Sequence, residues 1–135
     1  MHTAAILYNG ELRTTATHPR SGSVIETDAP VDNNGKGERF SPTDMVASAL
    51  GSCMLTIMGI KARDKGWNID GTTVSIDKIM GTDPRRITGV KVLIAVPQTA
   101  GLDDTARKIL ENAALTCPVA KSLHPDIQQD VTFNW

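Results

Sequence analysis

The stretch Ser41–Lys65, SPTDMVASALGSCMLTIMGIKARDK, decides the fold. It opens as a helix does: Ser41 suits the N-cap, and Pro42 suits the first turn, where a missing N–H costs nothing. Asp44 follows the cap by three residues in a capping-box-like arrangement. Its end is equally marked. Lys61, Arg63 and Lys65 bring positive charge to the C-terminal turns, and Gly66 can take the left-handed conformation that closes a helix. A helix of this length spans roughly 36 Å, comparable to the diameter of a small globule. Gly51 and Gly59 inside it argue against a perfectly straight rod.

Between those ends, Met45–Ile60 carries no charge. The run falls short of the ~20 apolar residues of a membrane span and is interrupted by Ser48, Ser52 and Thr56, so it reads as a helix inside a folded core. Its apolar residues, among them Leu50, Met54, Leu55, Ile57 and Ile60, point in nearly every direction. A helix apolar all round must be surrounded. One small sheet cannot do that, so a second copy of the chain is expected to supply part of the cover, giving a homodimer.

Outward from the helix, the N-terminal residues read as three strands. TAAILY and ELRTTATH flank Asn9-Gly10, a strong hairpin signal, and GSVIETD follows as the third strand. The Gly- and Asn-rich APVDNNGKGERF reads as a surface loop. After the helix, TTVSIDKIM and ITGVKVLIAVP form a second hairpin around GTDPRR, whose Arg85 and Arg86 read first as solvated turn residues and second as a docking patch for an acidic or lipoylated partner. LDDTARKILENAALT places Leu102, Ala106, Ile109, Leu110 and Ala113 on one stripe of an amphipathic helix. CPVAKSLHP is a short helical turn, and IQQDVTFNW a closing strand. The reading is a single α+β domain over residues 1–135.

The chain has 135 residues, and its 14 Lys/Arg against 15 Asp/Glu leave almost no net charge. No basic cluster suits nucleic acid. MHTAAILYNGEL lacks a basic start followed by a long apolar core, so no secretory leader is expected, and the cytosol is the expected compartment. A lasting structural disulfide is not expected there.

That leaves Cys53 and Cys117 as either inert or redox-active. Cys53 lies in line with Ala49 and Ile57 on a stripe expected to be buried, far from the helix N-terminus, so it needs a cation from elsewhere to become reactive. Cys117 precedes Pro118 at a helix start, a setting that favours a thiolate. Two packed thiols and a redox pair both fit the residues. His2, His18 and His124 do not cluster, and neither a Cys/His zinc site nor a Cys–His hydrolase has supporting spacing, so no metal or other cofactor is expected. Trp67 and Trp135 read as packing at element ends.

With these contexts in view, the chain resembles the OsmC/Ohr family, which comprises peroxide reductases and OsmC-like relatives. ERFSPTDMVASALGSCMLTIM followed by LTCPVAKSL carries the resemblance, and the order of elements extends it over nearly the whole chain. It implies an OsmC-like fold: an antiparallel N-terminal three-stranded sheet, a long central helix, a hairpin, a helix, a short helix and a terminal strand, in an intertwined homodimer with sites at the subunit interface. It implies Cys53 as the thiol that attacks an organic hydroperoxide, Cys117 as the resolving thiol, and an external dithiol, of lipoyl type among the candidates, as reductant. Through HPRSG it implies Arg20 as the activating cation, with Arg39 as the alternative. The hydroperoxide branch carries a glutamate directly after the helix-opening proline. Here Thr43 stands there, leaving Asp44, which also reads as a helix cap, and Glu38 as candidate partners of the arginine. An OsmC-like relative that binds a hydrophobic ligand, or a thiol sensor without rapid turnover, are the other readings.

Overall fold

Short β-branched runs build the first sheet. In the computed structural model, which describes residues Met1–Trp135, β1 (Ala5–Gly10), β2 (Arg13–Thr17) and β3 (Val24–Asp28) form an antiparallel sheet in that order. The first turn is not where the sequence signal puts it. Glu11 and Leu12 hold the two central positive-φ positions, at 53° and 63°, while Gly10 (φ 89°) adjoins an irregularity in register after Tyr8. A turn at Asn9-Gly10 would set Arg13 against Ile6 and Glu11 against Tyr8. The observed register instead sets Ala16 opposite Ile6 and Thr14 opposite Tyr8, moving both charges toward the turn. The glycine-rich loop that follows contains a single 3-10 turn, Val31–Asn33.

Helix α1 (Pro42–Lys65) runs as the sequence predicts. Ser41 and Asp44 reciprocate at its start: the Asp44 amide donates to Ser41 Oγ and the Ser41 amide to Asp44 Oδ2, both at 3.0 Å. Its end is a Schellman motif. Gly66 (φ 74°) donates to the Arg63 carbonyl and Trp67 to that of Ala62.

The chain divides into two compact units, Met1–Val46 and Ala47–Trp135. In the second, β4 (Thr73–Gly81) and β5 (Arg86–Ala95) form the expected hairpin, and β6 (Gln128–Asn134) pairs parallel to β5. Two more helices, α2 (Asp104–Leu115) and α3 (Pro118–Ser122), lie between β5 and β6 in sequence. Asp103 caps α2 by accepting the Ala106 amide at 2.8 Å.

The core of this unit is one apolar cluster. Leu50, Met54 and Met58 of α1 meet Val90, Val92 and Ile94 of β5 and Ala106 and Leu110 of α2. Trp67 and Trp135 pack against it, as expected of residues at element ends. Gly51 permits the close approach of α1 to β4, since a Cβ there would lie 2.9 Å from Val74 Cγ1 and 3.0 Å from Ile76 Cδ1. By length and composition α1 could cross a membrane, but its buried stripe is the centre of this core. The opposite side is not enclosed within one chain: Val46 and Ile60 are exposed, as is Ala49.

Candidate functional site

The two cysteines, far apart in sequence, are neighbours in the second unit. Cys53 lies on α1 between the fully buried Leu50 and Met54 and packs against the apolar cluster that contains Cys117. Both are free thiols. The sequence placed Cys53 on a buried stripe, and the structure corrects this. Cys53 is half-buried, because its α1 neighbour Ala49 is exposed and Ile57 is only partly covered. Cys117 is the interior sulfur, at 0% exposure.

Cys117 is also the N-cap of α3, with Pro118 at the first helical position. Its sulfur accepts the Ala120 amide at 3.4 Å. Helix-start geometry alone predicts a thiolate. Here burial wins: desolvation pushes the Cys117 thiol up, the backbone amide of Ala120 pulls against it, and the neighbouring Cys53 raises it further. Cys117 therefore rests as a protonated thiol beside a more accessible one.

Of the other candidates, Glu38, Arg39, Asp44 and Arg20 belong to the first unit, and His124 and Arg86 to the second. Glu38, a candidate partner for Arg20, instead accepts from Arg13 at 3.0 Å. Arg39, the alternative cation, pairs with Glu26 at 3.1 Å and donates to the carbonyl of Glu38. Asp44 closes the capping box on Ser41. Arg20 stands exposed in the turn between β2 and β3, which His18 and Ser21 brace through a 2.6 Å hydrogen bond. The exposed His124 serves as a turn residue, accepting the Asp126 amide at 3.0 Å. Arg86 donates to the carbonyls of Thr82 and Pro84, stapling its own loop.

One polar contact of the first unit was not read from the sequence. Arg13 grips Asp28 with two hydrogen bonds of 2.7 Å, and Asp28, at 0% exposure, also accepts the Glu38 amide at 3.1 Å. The guanidinium holds the Asp28 carboxyl down at about 2, from 3.8, against the opposing effect of burial. Arg13 is raised in turn. Aspartate is disfavoured in strands, and its place at the end of β3 was the one local hint.

With the fold and the thiols described, the family is clear. The OsmC-like protein family matches residues 35–132, and the chain belongs to it. A crystal structure from Psychrobacter arcticus, provisionally described as an osmotic stress induced and detoxification response protein, is 56% identical, with a TM-score of 0.95 over 99% of this chain and 96% of its own. The organic hydroperoxide resistance protein OsmC of Legionella pneumophila shares the fold at 13% identity, with a TM-score of 0.76 over 100% of this chain and 98% of its own. An organic hydroperoxide resistance protein from Elizabethkingia anophelis does so at 15% identity, with a TM-score of 0.74 over 99% and 96%. No curated protein matches the chain.

Proposed function

We propose that this protein is a thiol-dependent reductase of organic hydroperoxides, a single OsmC-like domain acting as a cytosolic homodimer. The observation that carries the reading is the pairing of a half-exposed free thiol, Cys53, with a fully buried one, Cys117. An incoming peroxide meets Cys53 first, and Cys117 waits behind it.

The Cys53 thiolate attacks one peroxide oxygen, the O–O bond breaks, and the other oxygen leaves and is protonated to the alcohol. Cys53 is then a sulfenic acid. Cys117 attacks its sulfur, the S–S bond forms and water departs. Two electrons have passed from the thiol pair to the peroxide. An external dithiol, with a lipoyl group among the candidates, restores both thiols by exchange. Arg20 is the proposed cation, stabilising the attacking thiolate and donating to the leaving oxygen. Leu50, Met54 and Ile57 make the surroundings apolar, which favours an alkyl hydroperoxide over hydrogen peroxide.

A second copy suits the exposed Val46 and Ile60 of α1 and the exposed Ile6, Leu7 and Tyr8 of β1. The functional test is turnover of cumene hydroperoxide with a dithiol. The wild type cycles, whereas Cys53→Ser loses about 10³-fold or more of the rate. Equal, slow turnover in both would end the proposal.

A further inference from the structure

The buried sulfur of Cys117 has two tasks that compete. It caps α3, a helix of five residues, by accepting the Ala120 amide at 3.4 Å. It also has Cys53, the thiol with which it would bridge, as a neighbour. We propose that formation of the Cys53–Cys117 disulfide uncaps α3 and loosens it from β6, so that the oxidation state of the pair is written on the surface segment Pro118–Leu123.

A disulfide brings its sulfurs to about 2.05 Å in a fixed dihedral, closer than any non-bonded contact, so one side must move. The two sides are unequally held. Cys53 is flanked on α1 by Leu50 and Met54, both fully enclosed in the core. In α3 the buried residue is Ala120, while Pro118, Lys121 and Ser122 are exposed. Movement therefore falls on α3. Its tie to β6, the Gln129 side-chain amide donating to the Ala120 carbonyl at 2.9 Å, stretches with it. A bridged sulfur is also a poorer acceptor than a thiol or thiolate. The inference rests on the proposed bridging reaction, with a hydroperoxide as oxidant and the alcohol and water as products.

The test is amide hydrogen exchange across residues 118–123 of the intact protein, reduced and after one equivalent of cumene hydroperoxide, with the disulfide quantified on the same samples by mass. Exchange at Ala120 should rise about fivefold, the equivalent of losing a helix cap. Cys117→Ala, reduced, should match the oxidised wild type. Cys117→Ser, which keeps a capping oxygen and cannot bridge, should stay protected in the presence of peroxide. A disulfide that forms with no change at Ala120 overturns the inference and leaves the reductase reading standing. Failure of the disulfide to form overturns both.

Discussion

The two units of this chain are held together by different physics. In Met1–Val46 the only buried residues are Asp28 and Ser41, both polar. In Ala47–Trp135 every buried side chain of size is apolar, from Leu50 and Met54 to Ile94 and Leu110. A segment of 46 residues is close to the lower limit for an independent apolar core. The first unit relies instead on a guanidinium–carboxylate fork and a helix cap, while Ile6, Leu7 and Tyr8 lie in the open. The contrast locates the apolar core and the uncovered apolar surface: the thiol pair sits in the unit with the core, and the exposed apolar residues are concentrated on the other unit and on the outer side of α1.

The comparison can be broken most directly in the core. Leu50→Ala should cost about 2–5 kcal/mol in denaturant unfolding, because it removes a fully enclosed side chain of α1 close to Cys53. A cost below about 1 kcal/mol would show that the second unit is not organised around α1.

Acid should act on the other unit. The Asp28 carboxyl titrates near 2 when folded and near 3.8 otherwise. The folded state therefore binds fewer protons, and the stabilisation is complete above pH 4 and disappears as pH falls toward 2. Circular dichroism during acid titration should show this loss for the wild type and a much flatter response for Asp28→Asn, which starts from lower stability. Identical acid profiles would remove the ion pair from its central place.

Next in size is the proposed contact between copies. Ile60→Asp, on the open side of α1, should raise the dimer dissociation constant about tenfold or more, read by sedimentation at a series of concentrations. A wild type that is monomeric throughout would leave the exposed apolar residues without the cover proposed for them. The smallest effect is the cap: Ser41→Ala should cost about 1 kcal/mol, since the Asp44 amide loses its acceptor.

What the sequence made legible was whatever local chemistry encodes. The ends of α1, the second hairpin, the stripe of α2 and the cap position of Cys117 all follow from signals a few residues long, and the structure has each of them. The family resemblance rested on the same local contexts. Contacts set by register or by tertiary burial were not legible. The Arg13–Asp28 fork joins residues fifteen apart that face each other across β2 and β3, and the turn between β1 and β2 lies two residues beyond the expected site. The parallel pairing of β6 with β5 has no short-range signature. Nor could spacing tell that Cys117, not Cys53, is the enclosed sulfur, because that depends on what covers each helix.

The raised Cys117 thiol adds a kinetic expectation. Because the resolving attack requires its thiolate, condensation with the Cys53 sulfenic acid should speed up as pH rises toward the Cys117 pKa, above the ordinary thiol range. Stopped-flow trapping of the sulfenic acid reads this directly, and a pH-independent second step would remove Cys117 from that role.

The most direct measurement is the mass and thiol content of the intact protein after one equivalent of cumene hydroperoxide per chain. The account predicts that both thiols disappear together, that each chain loses only two hydrogens, and that a dithiol restores them. A chain that instead gains oxygen at Cys53 while Cys117 stays free, or that keeps both thiols, would contradict it.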